Sequence, residues 1–200
     1  MIIKNVFNIL YTPEEEWQAI ANENRSVATT YFHYVLPMAL IPAISALIGS
    51  SYMGWGLVGE KIVKLTFENA LTLSIVAYVA LCTAVAVVAF LIQWMANTYG
   101  SKPSFNRCFS LAAYSASPLF LVGVVGLYPV LWVDTLLTLV AIGFSVKLLF
   151  SGVPIMMEID KDKAFLFANS ILTVCMILII GLFAITVLFW GFGLAPVFTQ

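Results

Sequence analysis

Four long stretches of this 200-residue chain contain no aspartate, glutamate, lysine or arginine. They cover residues 26–59, 69–101, 108–133 and 164–200. An α-helix needs roughly 20 apolar residues to cross a hydrocarbon core about 30 Å thick, and each stretch is longer than that. This absence of charge constrains the fold more than any other feature of the sequence, because it predicts helices that span a membrane.

The composition supports the same interpretation. The chain is 62% hydrophobic and 10% charged, whereas ordinary soluble domains have about 45–50% apolar and about 25% charged residues. A soluble fold of this length could not bury so much apolar surface, and the mean hydropathy is +1.02. These values exclude a soluble enzyme, a disordered chain and a coiled coil. The net charge of -1 also excludes the basic surface that nucleic-acid binding requires.

The boundaries of the helices follow from turn-forming and aromatic residues around the charge-free stretches. Four spans are predicted at 31–49, 70–95, 109–127 and 165–190. A fifth is predicted at 131–150, between Tyr128-Pro129 and Ser151-Gly152, with Asp134 near one end and Lys147 near the other. Both charges are expected within about one helical turn of a membrane interface, where long side chains reach water. The expected fold is therefore an all-α membrane bundle of five transmembrane helices.

The distribution of basic residues predicts the orientation of this bundle. Lysine and arginine accumulate in the cytoplasmic segments of membrane proteins. With the N-terminus inside, seven basic residues lie on the cytoplasmic side and only Lys61 and Lys64 lie outside. The seven are Lys4, Arg25, Lys102, Arg107, Lys147, Lys161 and Lys163. We therefore expect a cytoplasmic N-terminus and an external C-terminus.

Little of the chain remains outside the membrane for a separate domain. Residues 1–30 are expected to form a cytoplasmic, amphipathic segment whose first ten residues lie on the bilayer surface. Residues 31–190 form the transmembrane domain, and residues 191–200 form a short external tail. We expect no cleavable signal peptide, because asparagines interrupt the short apolar stretch after Lys4.

A short helix is predicted inside the N-terminal segment. Thr12 is expected to cap it, Pro13 to occupy its first position, and Glu15 to complete a capping box. The helix is expected to end near Asn24, with Trp17 on its apolar side.

The sequence contains no pattern typical of an active site. It has no GxSxG, HExxH or Walker-type motif. The glycines at 54, 56 and 59 have GxGxxG spacing, but they lie in a loop between predicted spans and precede no phosphate-binding helix of a βαβ unit. Its single histidine, His33, excludes a histidine metal cluster within one chain, and its three cysteines have no CxxC spacing. We therefore expect no enzymatic activity, no metal and no cofactor.

Prolines inside the predicted spans leave a second function open. Pro37 and Pro42 lie in the first span and Pro118 in the third, where each removes a helix hydrogen bond and favours a kink. Such prolines are tolerated where neighbouring helices satisfy the freed carbonyls. Alternatively, the kinked helices form a small transporter or channel. That hypothesis predicts a shared cavity lined by Pro37, Pro42, Tyr114, Pro118 and Asp134.

Several segments, in this order, resemble a known family of membrane proteins. They are residues 11–17 (YTPEEEW), Ser104-Phe105, residues 112–118 (AAYSASP), Pro129, residues 151–154 (SGVP) and residues 160–164 (DKDKA). Together they resemble the Ypt/Rab-interacting (YIP) family of five-span membrane proteins, and its prokaryotic inner-membrane branch in particular. The resemblance extends over nearly the whole chain.

The resemblance implies five helices, a cytoplasmic N-terminus and a bacterial inner membrane. It also implies a non-enzymatic scaffold, a partner-binding protein or a bundle that organises the membrane. The expected partners are the lipid bilayer, other membrane or cytoplasmic proteins, or a second copy of the chain. We expect the contact residues in the predicted cytoplasmic segments, at Trp17, Lys102, Arg107, Asp160, Lys161 and Lys163.

Reporter fusions at the two termini test the predicted orientation. We expect a cytoplasmic signal at Met1 and an external signal at Gln200, because five spans place the termini on opposite sides. Replacing Lys102 and Arg107 with Asn should increase the misinserted fraction more than the same change at Lys61 and Lys64. Signals from the same side at both termini would contradict the prediction.

Overall fold

The computed structural model describes residues 9, 11–54, 62–191 and 198–199. Within these residues the chain is a bundle of long helices, preceded by the short helix α1 (Pro13–Glu23). The long helices are α2 (Val27–Met53), α3 (Phe67–Tyr99), α4 (Phe105–Leu127), α5 (Leu131–Met157) and α6 (Lys161–Gly191). All five are long and apolar enough to cross a membrane, which confirms the predicted fold class. The orientation of the termini and the division of the chain into segments stay predictions.

Short strands are a minor part of the described chain. Strand β1 (Lys64–Leu65) pairs antiparallel with β2 (Phe198–Thr199). The pairing places the end of the chain beside the loop between α2 and α3.

Polar residues cap the starts of three of the long helices. Ser26, Thr66 and Ser104 each accept a hydrogen bond from the backbone N–H three residues further on. Such caps satisfy N–H groups that have no partner within the helix. They lie before the predicted starts of the spans at 31, 70 and 109, so these helices begin earlier than predicted.

Helix α1 forms where the sequence predicts it, but the predicted capping box is wrong. Thr12 precedes the helix with φ -126° and ψ 67°, and its side chain makes no capping hydrogen bond. At this ψ, Thr12 is not in the extended conformation in which a cap hydroxyl points at the helix N–H groups. The predicted capping box of Thr12 and Glu15 therefore does not form. The helix ends at Asn24, which adopts a left-handed conformation with φ 40°.

Helix α4 is interrupted at Ala116, two residues before Pro118. Proline lacks the N–H that would bind the carbonyl of Tyr114, one turn earlier. The hydroxyl of Ser117 donates to that carbonyl instead. The break therefore leaves this buried carbonyl with a hydrogen-bond partner.

Helices α2 and α4 touch nearly backbone to backbone beyond this break. A Cβ on Gly123 would lie 2.5 Å from the Cβ of Pro42, and a Cβ on Gly49 would overlap the carbonyl oxygen of Gly126. Small residues permit such close approach in membrane bundles.

Helix α5 is longer than predicted. The Ser151-Gly152 pair was expected to end the span near residue 150, but the helix continues to Met157. Gly152 forms no turn; it is buried against the ring of Trp17. Ten residues of helix follow Lys147, and its place near an interface stays a prediction.

The buried core surrounds α4, and the outer helices expose apolar residues. Every residue of α4 from Cys108 to Ser115 is buried, and this segment packs against α3 and α5. Large apolar side chains on α3, α5 and α6 point outward, as expected for contact with lipid. Examples are Phe90, Trp132 and Ile180, which are 60%, 71% and 63% exposed.

Substitution of Gly123 tests the close packing of α2 and α4. Gly123→Ala should lower the free energy of unfolding by about 1–3 kcal/mol, because the added methyl group overlaps Pro42. Gly143→Ala is the matched control, since nothing lies within 4 Å of a Cβ at Gly143. Thermal unfolding of both variants in detergent measures the difference; equal melting temperatures would contradict the packing described above.

Candidate functional site

Trp17 fastens α1 to α5. Its side chain is completely buried, and its Nε1–H donates to Ser151 Oγ at 3.2 Å. Its ring occupies the space that a side chain at Gly152 would need, because a Cβ there would lie 2.6 Å from Trp17 Cε2. Trp17 was expected to contact a partner. Its burial instead makes it part of the protein's own core.

Tyr114 lies at the centre of the same cluster. Its ring is perpendicular to that of Trp17, at 6.4 Å between centroids, and 4.3 Å from that of Tyr34. Arg25 Nη1 donates to the Tyr114 hydroxyl at 3.2 Å and forms an ion pair with Glu23. Burial lowers the pKa of Arg25, but hydrogen bonds and attraction from Glu23 and Tyr114 outweigh this effect and raise the pKa overall.

Two hydroxyl groups connect Tyr34 to the break in α4. Ser117 gives its single hydroxyl proton to the Tyr114 carbonyl, so in the short contact between Tyr34 and Ser117 the tyrosine hydroxyl is the donor. The chain of donors therefore runs from α2 to the carbonyl freed by Pro118. We call Trp17, Tyr34, Tyr114, Ser117 and Ser151 the aromatic cluster.

The aromatic cluster unites segments that are distant in sequence. Trp17 comes from the N-terminal motif, Tyr114 from the motif before Pro118, and Ser151 from the start of the SGVP segment. Sequence reasoning did not single out Tyr34 or Arg25, because neither belongs to a recognisable motif.

A polar groove opens at the same end of the molecule. A hollow of about 520 Å³ is bordered by Asn24, Lys102, Ser104, Arg107 and Glu158, among other residues. Arg107 forms an ion pair with Glu158 across it.

An adjoining hollow of about 360 Å³ shares Gly100 and Glu158 with the first. It adds Asp160 and Lys163 to the lining. We call the two hollows together the polar groove.

The polar groove collects most of the predicted contact residues. Lys102, Arg107, Asp160 and Lys163 line it, and Lys161 is exposed beside it. Side chains of both charges are therefore presented together at one end of the bundle.

The prolines of the alternative hypothesis occupy different surroundings. Pro118 is buried at the break in α4. Pro42 packs against Gly123. Pro37 lies in the first turn of Leu36–Ile48, the part of α2 with regular α-helical hydrogen bonding. The structure thus gives Pro42 and Pro118 roles in helix packing.

Asp134 lies far from Tyr114. Leu111 of α4 faces Gly152 of α5, so Tyr114 is level with about residue 149 of the antiparallel α5. Fifteen residues of helix then separate Asp134 from that level, about 22 Å along the axis. These two residues therefore cannot line one small cavity.

Within the described residues there is also no group of three or more His, Cys, Asp or Glu side chains that could hold a metal ion.

Comparisons with known proteins agree with this architecture. The family model of the Yip1 domain matches residues 7–183. "Inner membrane protein YohC" of Escherichia coli strain K12 is 37% identical over 191 residues, which cover 96% of this chain and 98% of that protein. The protein of the same name from strain CFT073 matches equally well. No solved structure matches the chain. The extent of the family match and the identity to these relatives show that the chain belongs to the Yip1 domain family.

Proposed function

We propose that this protein is a non-enzymatic scaffold of the bacterial inner membrane that binds a partner protein at the polar groove. Membership of the Yip1 domain family and the name of the inner membrane relative support the location. The observation that carries the proposal is the polar groove itself, an open surface with accessible charges of both signs.

The charges of the polar groove suit a polypeptide segment that itself carries both signs. Lys102 and Lys163 are exposed, as are Glu158 and Asp160. Complementary charges at the rim of an interface select the partner and accelerate its association. A surface of mixed charge is less suited to an anion, because Glu158 and Asp160 would repel it.

The aromatic cluster supports a structural role beside the polar groove. Its polar side-chain atoms all have hydrogen-bond partners: Trp17 donates to Ser151, Tyr34 donates to Ser117, and the Tyr114 hydroxyl accepts from Arg25. Groups engaged in this way stabilise the position of α1, and Asn24 at the end of α1 borders the groove. The cluster therefore holds one wall of the proposed binding surface in place.

Truncation of Trp17 tests this role of the cluster. Trp17→Ala should destabilise the protein by about 3–5 kcal/mol, because it leaves a cavity beside Gly152. It should also make α1 accessible to protease. Tyr11→Ala is the matched control, since the Tyr11 side chain is 83% exposed. Limited proteolysis of membrane vesicles measures the rate at which α1 is cleaved in both variants. Equal protection of α1 in the two variants would contradict the role of Trp17 in holding α1 against the bundle.

Photocrosslinking from the polar groove tests the binding proposal. A photoreactive amino acid at Lys163 in native membranes should give one discrete product with another protein. Lys102→Glu should reduce its yield several-fold, because the charge of the groove is reversed. Lys64→Glu, in the loop between α2 and α3, is the charge-matched control.

A photoreactive residue at Trp132, at the opposite end of α5, controls for random collision. Equal products from Lys163 and Trp132, or no effect of Lys102→Glu, would contradict binding at the groove.

A further inference from the structure

Glu158, at the turn between α5 and α6, has a backbone conformation that glutamate rarely adopts. Its φ is 52°, in the left-handed region that glycine and asparagine enter most readily. This conformation closes the end of α5, because the N–H groups of Glu158 and Ile159 both donate to the carbonyl of Pro154. Glycine would close the helix end with less strain, so this role does not account for the glutamate side chain.

The carboxylate of Glu158 has one partner among the described residues, Arg107 of α4. The Glu158 side chain is 69% exposed, so it packs little against the rest of the protein. Exposed ion pairs of this kind contribute little to the free energy of unfolding. Neither the helix end nor the stability of the fold therefore explains why a carboxylate occupies this position.

Arg107 is held more firmly than Glu158. It lies in the first turn of α4, where its backbone N–H bonds to Ser104, and its side chain is only 27% exposed. The ion pair joins one guanidinium nitrogen, Nη1, to one carboxylate oxygen. A guanidinium has five N–H donors, and no other described group accepts from the Arg107 side chain. The remaining donors can therefore hold a carboxylate in the two-bond geometry that makes such pairs strongest.

The ion pair restricts access to the basic side chains of the polar groove. Arg107 and Lys102 border the larger hollow, Asp160 and Lys163 border the smaller one, and Glu158 borders both. While it pairs with Arg107, the Glu158 carboxylate occupies a donor and repels any other carboxylate that approaches the larger hollow. A carboxylate from outside the chain must therefore displace Glu158 to reach Arg107.

Lys102 supplies a second cation in the same hollow. Its side chain is exposed and borders the hollow together with Arg107. It forms no ion pair with any described residue. An incoming carboxylate can therefore pair with two cations, whereas Glu158 pairs with one.

We propose that Glu158 is an internal competitor for the polar groove: its carboxylate pairs with Arg107 until an acidic residue of the partner segment takes its place. The inference rests on the proposed function, because it assigns to the partner an aspartate or glutamate that pairs with Arg107 beside Lys102. Opening the exposed ion pair costs little, and the incoming carboxylate gains a two-bond contact and a second cation. A basic residue of the same segment finds Asp160 in the adjoining hollow.

Photocrosslinking of the full-length protein in native membranes tests the competition. The probe is a photoreactive amino acid at Lys161, which is exposed beside the groove, so the charges that line the groove stay intact. Glu158→Gln should raise the yield of the crosslinked product roughly threefold, because Arg107 loses its internal ion pair. Arg107→Gln should lower the yield several-fold. Arg107→Lys should lower it less, since the charge remains but the two-bond geometry is lost.

The opposite effects of the Glu158 and Arg107 substitutions distinguish competition from a structural role. An ion pair that only joins α4 to the turn would give a lower yield when either partner is removed. Glu158→Gly is a second variant that removes the carboxylate and suits the left-handed backbone; the yield should rise here too, and the melting temperature should not fall. Asp162→Asn is the matched control, because it removes a neighbouring exposed carboxylate outside the groove lining, and it should leave the yield unchanged.

Three results overturn the proposal, each for a different reason. A product whose yield Glu158→Gln lowers or leaves unchanged rules out competition, while binding at the groove still stands. A yield that Asp162→Asn raises as much as Glu158→Gln does assigns the effect to net charge alone. The absence of a discrete product in every variant, and with the groove residues unchanged, contradicts the proposed function and this inference together.

Discussion

Backbone hydrogen bonding in hydrocarbon is the constraint on which the whole structure depends. No water reaches the bilayer core, so each N–H and carbonyl must be satisfied within the protein. The long helices meet this condition by themselves. Where Pro118 removes a donor from α4, Ser117 donates to the Tyr114 carbonyl and Tyr34 donates to Ser117. The freed carbonyl is thus satisfied within α4, and the Tyr34 hydroxyl of α2 joins the two helices at the break through Ser117.

The same cluster connects the membrane core to the surface. Trp17 reaches over α5 because Gly152 has no side chain in its path, and the buried ring holds α1 against the bundle. Asn24, at the end of α1, then borders the polar groove together with the loop that carries Lys102. A change at Gly152 is therefore expected to act on the groove through Trp17 and α1.

The fold class was predictable because hydrophobicity acts over whole helices, whereas individual contacts depend on register. The five spans and the break near Pro118 follow from local sequence. The prediction that Trp17 contacts a partner was wrong because the sequence pattern of an aromatic residue on a short amphipathic helix is the same in both cases. The pattern does not distinguish a ring that faces a partner protein from one that faces Gly152 of the same chain. Arg25 and Tyr34 were not singled out, since their hydrogen bonds join segments 89 and 83 residues apart in sequence. The hydrophobic periodicity of one helix does not predict hydrogen bonds between segments so far apart in sequence.

The sequence by itself determined that this chain forms five apolar helices in a membrane, because charge is too costly in hydrocarbon to be placed at random. It also determined that basic and acidic residues gather in the loops, where the polar groove forms. Only the tertiary structure decided which faces of the helices meet. Gly152, predicted to end a span, instead lies inside α5 with the ring of Trp17 packed against it, because it has no side chain in the way. The contact of Phe150 with Phe165 likewise sets how the antiparallel helices α5 and α6 meet, and it depends on helix register that one helix alone does not encode.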